Sequence, residues 1–342
     1  MFRGTVSKWF DTVPFFRKPI LQCRGEPLLS NLVFSLNATV PIFLLMVLGY
    51  VLNRIGWFDD TLANKVNTFV FRIPLPVMLF TQLATIDIRK AWDTKFVLFC
   101  FGVTCLSILI AWGLSFLVRK KSSRGEFVQA AYRSSAAILG VAFISNIYGN
   151  AGMAPLMIIG AVPLYNIMAV VVLELSNPEH QGLQKGVMKQ TLKGVITNPI
   201  LIGIVVGIVW SLLRIPVPHI ADKFLTDIGN LATPLGLMAM GATFDFKKAT
   251  GEIKPAIGAT LMKLFGFGIL FLPAAIALGF RNEKLVAILV MVGSATTVSS
   301  YVMARNMNHE GVLTSSTVML TTLFSSFSLT FWLWLLKTMA LI

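Results

Sequence analysis

Apolar residues in this chain run for about 20 positions at a time, and polar residues are confined to short intervals between the runs. At a helical rise of 1.5 Å per residue, a run of that length spans the hydrocarbon core of a bilayer. Such runs fall near 31–53, 62–84, 96–118, 126–148 and 152–175, and again near 195–213, 224–244, 255–279, 284–304 and 312–336. The pattern predicts an all-α membrane protein with ten transmembrane helices. The polar interval 176–194, which holds Asn177, Pro178, Glu179, His180 and three lysines, divides them five and five and reads as a central cytoplasmic loop. The chain therefore divides into an arm at 1–30, a first five-helix unit at 31–175, the loop, and a second five-helix unit at 195–338.

The two units are related. Displaced by 158 positions, Pro41 falls on Pro199, Gly49 on Gly207, Pro76 on Pro234 and Leu79 on Leu237. The polar stretch Ile86, Asp87, Ile88, Arg89, Lys90, Ala91 falls on Phe244, Asp245, Phe246, Lys247, Lys248, Ala249. One residue of slippage then aligns Ser135 and Ala136 with Ser294 and Ala295, and Gly152 with Gly311. Leucine matches leucine by chance in any membrane protein, but a polar hexapeptide and two prolines in one register do not arise so easily. An odd number of spans per copy makes the second copy enter the membrane from the opposite side, so the expected arrangement is an inverted repeat.

Composition agrees with lipid as the main solvent. Hydrophobic residues make up 56% of the chain and charged residues 13%, about half the charged share of a soluble domain; mean hydropathy is +0.76. The net charge of +14 lies mostly between apolar runs, where basic residues anchor loops, so it does not form a stripe for nucleic acid. The dense Arg119 to Arg124 cluster beside span 3 marks its side as cytoplasmic and puts both termini outside, with the cell (plasma) membrane as the expected location. Residues 1–30 lack a signal peptide's unbroken apolar core and set Trp9, Phe10, Phe15 and Phe16 beside Lys8 and Arg17, as an interfacial arm or disordered tail would. Cys23, Cys100 and Cys105 have neither disulfide nor metal-site spacing. No phosphate-cradling glycine loop is visible, so no cofactor, metal or nucleotide is expected.

The chemistry concentrates in spans 4 and 9. Span 4 contains Arg133, Ser134, Ser135, Ala136, Ala137, Ile138, Leu139 and Gly140; span 9 contains Gly293, Ser294, Ala295, Thr296, Thr297, Val298, Ser299 and Ser300. Small and hydroxyl residues at mid-depth either let helices pack closely or mark helices that break, and their equivalent places in the two copies favour breaks. Unwound backbone there must face a protein-lined cavity, and the half-helix N-termini beside it favour anions. Arg133 is placed to pair with a carboxylate, the alternative being an arginine snorkelling to the interface. In span 5, Tyr165 and Asn166 need polar partners, either a substrate or a neighbouring helix. The candidate binding set is Arg133, Ser134, Ser135, Tyr165, Asn166, Ser294, Thr296, Thr297 and Ser299. Lys263 in span 8, Glu174 at the end of span 5 and Asp93 at the head of span 3 are candidates for ion coupling, with snorkelling, interfacial and helix-capping roles as their respective alternatives.

Several stretches together resemble the auxin efflux carrier family, which includes bacterial organic-acid permeases and plant PIN-type auxin carriers. They are Arg133 to Gly140 with Tyr148 and Gly149, Asn198 with Pro199, Pro234 through Gly241, Ala242 and Thr243, and Tyr301, Val302, Met303 and Ala304. The likeness covers residues 31 to 338. It implies spans 1, 2, 6 and 7 as a scaffold that often forms a homodimer, and spans 3–5 and 8–10 as a mobile transport unit with spans 4 and 9 crossing at the substrate. It also implies an organic anion as substrate and an elevator-like motion driven by a proton or sodium ion. The chain departs from the family at Ser135, where members often carry Asn, and at Ala295 and Ser300, where the plant carriers have prolines. Asp93 followed by Thr94 is similar to the acidic position linked to proton transfer in the plant carriers. The rivals are a cation/proton antiporter or sodium-coupled symporter of similar shape, a channel or receptor, and a membrane enzyme. Spans 4 and 9 place no acid at mid-membrane, and His180, His219 and His309 are scattered in separate loops, which disfavours the antiporter and the enzyme.

Overall fold

The computed structural model describes residues 27–84, 92–136, 141–149, 152–177 and 196–342. Most of the expected N-terminal arm and of the central loop lie outside these residues. Among the described residues every regular element is a helix. In chain order they are α1 (Pro27–Arg54), α2 (Asp60–Arg72), α3 (Pro74–Ala84), α4 (Thr94–Ser115), α5 (Arg124–Tyr132), α6 (Val141–Tyr148) and α7 (Ala154–Leu175). After the central interval come α8 (Pro199–Leu213), α9 (His219–Asn230), α10 (Ala232–Ala242), α11 (Phe246–Gly251) and α12 (Ile253–Leu261). A π-helical turn at Met262–Gly266 leads into α13 (Phe267–Ala277), followed by α14 (Asn282–Gly293), α15 (Ser299–Asn306) and α16 (Val312–Thr338).

Helix ends fall where the residues can cap them. Asp59, Asp93 and Asn198 each have extended backbone and accept a hydrogen bond from a first-turn amide, those of Leu62 (2.8 Å), Phe96 (3.0 Å) and Ile200 (3.0 Å). Each satisfies one of the donors that a helix start leaves unpaired. Among the described residues five segments are long and apolar enough to cross a membrane: Asp60–Ala84, Thr94–Ser115, Ala154–Leu175, Ile253–Ala277 and Val312–Thr338. The outer faces expose Leu44 and Val51 of α1, Leu98 and Leu109 of α4, Val205 and Leu212 of α8, and Phe324 and Phe327 of α16. Apolar surface of that extent and distribution belongs in lipid. The chain is an all-helical, multi-pass membrane protein.

The element order of the first unit recurs in the second at the displacement seen in the residues, with α4 to α7 answered by α12/α13, α14, α15 and α16. One close backbone approach recurs with it. Gly49 of α1 lies against the carbonyl of Met238 in α10, where a Cβ would come within 2.1 Å of the oxygen. Gly207 of α8 lies against the carbonyl of Phe80 in α3, where a Cβ would come within 3.0 Å. Shifted by 158 positions, Gly49 and Phe80 become Gly207 and Met238, so these are two copies of one contact.

Two spans are interrupted. After Tyr132 the helix stops over residues 133–135, with extended backbone at Arg133, and the next described helix is α6; after Gly293 it turns extended at Ser294 and winding resumes at Ser299. The breaks touch: the Ser135 amide donates to the Ala295 carbonyl at 2.9 Å, and the Thr296 amide donates to Oγ1 of Thr321 in α16 at 3.0 Å. Gln129 Nε2 reaches the Ser300 carbonyl at 3.0 Å and Thr296 Oγ1 the Ala130 carbonyl at 2.8 Å. Polar backbone in a bilayer costs several kcal/mol per unpaired group, and here the breaks pair with each other and with side chains. Accordingly α5 from Gly125 to Tyr132 and α14 from Leu285 to Gly293 are entirely buried.

Candidate functional site

Arg133 is the first residue past the end of α5, and the change to extended backbone turns its side chain inward. It is 1% exposed. Its Nη1 donates to Gln129 Oε1 at 3.2 Å and to Met303 Sδ at 2.9 Å, and its Nη2 donates to Asn166 Oδ1 at 2.8 Å and Ser299 Oγ at 2.7 Å. Every one of these acceptors is neutral, and no described carboxylate lies within 4 Å of the guanidinium. Its Nε is buried without a partner. A buried guanidinium normally has a carboxylate beside it, because removing a charge from water costs several kcal/mol even after relaxation. Here four neutral groups from three helices hold the charge in place, and no described carboxylate compensates it.

Arg133 opens onto a small cavity lined also by Ser134, Ser135, Tyr165, Asn166, Thr297 and Ser299, with Met78, Leu79, Gln82 and Val162 completing it. Seven of the nine expected binding residues thus meet at one place. Ser294 and Thr296 do not line it. Ser294 is buried with an unpartnered hydroxyl, and the Thr296 hydroxyl is committed to the Ala130 carbonyl. Gln82, Gln129 and Met303 belong to the site and were missed, since an amide or thioether within an apolar run reads as packing. Gln82 has an unpartnered buried Oε1, which was a signal available only in three dimensions. Ser299 begins α15, so the positive end of that half-helix also faces the cavity.

The three coupling candidates lie in different places. Lys263 is 0% exposed, so it does not snorkel, and it sits behind the cavity with its Nζ on Ser134 Oγ and near the carbonyls of Tyr132 (3.3 Å) and Met291 (3.4 Å). Met291 O also accepts from the Tyr165 hydroxyl at 3.1 Å and from Ser134 Oγ. Asp93 caps α4 away from the cavity and pairs with Lys284 at 2.5 Å. That ammonium, with the Phe96 amide, holds the Asp93 carboxyl below the usual carboxylate range. Glu174 is half-buried in the last turn of α7.

A buried acid also went unnoticed in the sequence. Glu126, in the first turn of α5, is 2% exposed and accepts from the amides of Gly311 and Thr314 and from Thr314 Oγ1, at 2.9, 3.0 and 3.0 Å. It caps the start of α16 and does not reach the Arg133 cavity. Among the described residues no three His, Cys, Asp or Glu side chains gather as a metal site.

The sequence pattern of the membrane transport protein family matches residues 34–333. An uncharacterized transporter of Methanothermobacter thermautotrophicus is 22% identical over 303 residues, covering 87% of this chain and 97% of that protein. A Rhizobium meliloti protein named "Putative malonate transporter" is 22% identical over 325 residues, covering 88% and 96%. In three dimensions the chain is similar to the sodium proton antiporter MjNhaP1 of Methanocaldococcus jannaschii, with a TM-score of 0.57 over 89% of this chain and 98% of the other, at 16% identity. The last likeness concerns the fold alone.

Proposed function

This chain belongs to the membrane transport protein family, the auxin efflux carriers, and on that premise we propose that it is a secondary active carrier for a small organic anion. The observation that carries the reading is the Arg133 guanidinium, buried and held by neutral groups with no described carboxylate beside it. A carboxylate entering the cavity supplies the missing charge, with the Nε–H as its free donor, and completes the guanidinium fork by displacing one of the neutral acceptors on the Nη groups. At 4 Å in an effective dielectric of about 20 that attraction is on the order of 4 kcal/mol, enough to select an anion over its neutral acid. Thr297, Ser135 and Gln82 add hydrogen bonds to the rest of the molecule. Malonate, which gives one distant relative its name, is of suitable size and charge as a first probe.

The mechanism follows from the two interrupted spans. We read the chain as ten crossings in a five plus five inverted repeat, with α1, α2/α3, α8 and α9/α10 as the scaffold and the remaining helices as the moving unit. Support comes from the recurrence of helix order and of the Gly49 and Gly207 contacts. Met78, Leu79 and Gln82 reach the cavity from α3, on the scaffold side, and Arg133, Asn166 and Ser299 from the moving side. Sliding the second group past the first carries the anion across, an elevator-like alternating access in the cell membrane.

A cation/proton antiporter is the competing reading, favoured only by the shape shared with MjNhaP1. An exchanger of cations needs negative charge at its centre, whereas this centre holds two buried cations, Arg133 and Lys263. The deciding experiment is uptake of labelled carboxylates into proteoliposomes under separately imposed proton and sodium gradients. Saturable uptake and counterflow of malonate or a similar acid are expected, lost in Arg133→Ala while that variant stays monodisperse in detergent. Undiminished uptake by Arg133→Ala removes the reading.

A further inference from the structure

Lys263 occupies a position that calls for a cation for reasons unconnected with the substrate. The last carbonyls of a helix have no partner within it, and the aligned peptide dipoles place about half a negative charge at that end. Both interrupted spans end their first halves at the centre of the protein, α5 at Tyr132 and α14 at Gly293. The Tyr132 carbonyl from one and the Met291 carbonyl from the other converge with Ser134 Oγ on a single point, and the Lys263 ammonium is at that point. Three oxygens, two of them backbone carbonyls from the last turns of the two half-helices, form the kind of coordination that transporters with broken helices use for sodium. The lysine reaches it from the π-helical turn Met262–Gly266, and such turns recur at functional positions. No described carboxylate lies within 4 Å of its Nζ, so the helix ends and Ser134 are its counter-charge.

We propose that Lys263 is a tethered cation filling the place of a transported alkali cation, so that the anion moves without sodium or potassium entering the centre. The part concerning the anion rests on the carrier reading above; the part concerning the occupied cation position does not. Through Ser134, which lines the anion cavity and bonds to Lys263, the tethered charge also holds the floor of the Arg133 site.

The test uses the full-length protein in detergent and in proteoliposomes, with choline, sodium or potassium chloride at equal ionic strength. The thermal unfolding midpoint of the natural protein is the same in all three salts. Lys263→Ala, which removes the charge and leaves room among the oxygens, has a lowered midpoint in choline that sodium or potassium raises by several degrees. Lys263→Met fills the space without charge, has a lowered midpoint, and is not raised. Malonate uptake follows the same order: indifferent to the cation in the natural protein, at least tenfold lower in both variants in choline, and restored in part by an alkali cation only in Lys263→Ala. Sodium-dependent uptake or a sodium-raised midpoint in the natural protein overturns the proposal, as does Lys263→Met matching the natural protein in both measurements. A folded Lys263→Ala that ignores alkali cations overturns it too. Should Lys263→Ala fail to fold, the natural protein and Lys263→Met still decide. The midpoints require no substrate, so absence of malonate uptake by the natural protein counts against the carrier reading alone.

Discussion

The seams between α1 and α10 and between α3 and α8 are two copies of one contact, whereas the crossing of the interrupted spans is asymmetric. At the seams, Gly49 on Met238 and Gly207 on Phe80 repeat the same glycine-to-backbone approach. At the crossing, the register that matches Ser135 with Ser294 puts Val292 opposite Arg133 and Thr104 opposite Lys263. One copy supplies the guanidinium and the other the ammonium. The seams need only shape, so both copies keep it. An anion site needs a single charge at a single place, and a second buried guanidinium would cost several kcal/mol with nothing to offset it. What repeats is backbone packing, and what does not repeat is where the proposed anion site lies.

That contrast can be broken most severely at the seam. Gly49→Val would force a side chain into the Met238 carbonyl, for which the expected cost is on the order of 3 kcal/mol or more. Loss of the monodisperse peak in size-exclusion chromatography checks it, and Gly207→Val is expected to be nearly as damaging. A folded, stable Gly49→Val would show that the seam tolerates separation.

At the crossing the expected losses are of function and not of folding. Arg133→Lys keeps a positive charge but gives up the planar fork, so uptake should fall by about tenfold to a hundredfold, equivalent to one or two charge-assisted hydrogen bonds. Initial rates over a range of malonate concentrations measure it, with an unchanged elution profile as control. A smaller effect follows from Ser299→Ala, which removes one of four neutral acceptors that orient Arg133: a rise in KM of about fivefold, near 1 kcal/mol. An unchanged KM would mean that the remaining three groups position the guanidinium unaided.

The smallest effect is expected at the edge of the fold, where Asp93 pairs with Lys284. A half-exposed ion pair of this kind contributes up to about 1 kcal/mol, so Asp93→Asn should lower the midpoint by a few degrees at most and leave uptake within about twofold. Because the folded-state carboxyl is held below its usual value, its contribution is present above about pH 4 and is lost as pH falls through the depressed value. The midpoints of the natural protein and Asp93→Asn should therefore converge in acid. A large loss of proton-driven uptake in Asp93→Asn would instead make this pair part of the coupling.

Much of this arrangement was legible before any coordinates. Unbroken apolar runs announced the spans, the charge-poor composition announced lipid, and Ser, Thr and Gly clusters at equivalent depths pointed to the stretches where winding stops. Asp59, Asp93 and Asn198 were readable as caps because a cap depends on neighbours two or three residues away. Gln82, Gln129 and Met303 were not readable, since nothing local distinguishes an amide facing a cavity from one facing a helix. Glu126 was overlooked for the same reason: the amides it caps lie more than 180 positions downstream.

Taken alone, the chain of residues determined which segments are helical, where they fit a bilayer and where they can unwind, since run length, periodicity and backbone freedom are local properties. Only the tertiary structure decided that Arg133 meets Met303 across 170 positions and that Lys263 meets Tyr132 across 131. Periodicity says which face a side chain is on, but the partner of that face depends on how separate helices pack. The burial of Arg133 and Lys263 acquires meaning only once packing shows that, among the described residues, no carboxylate lies beside them.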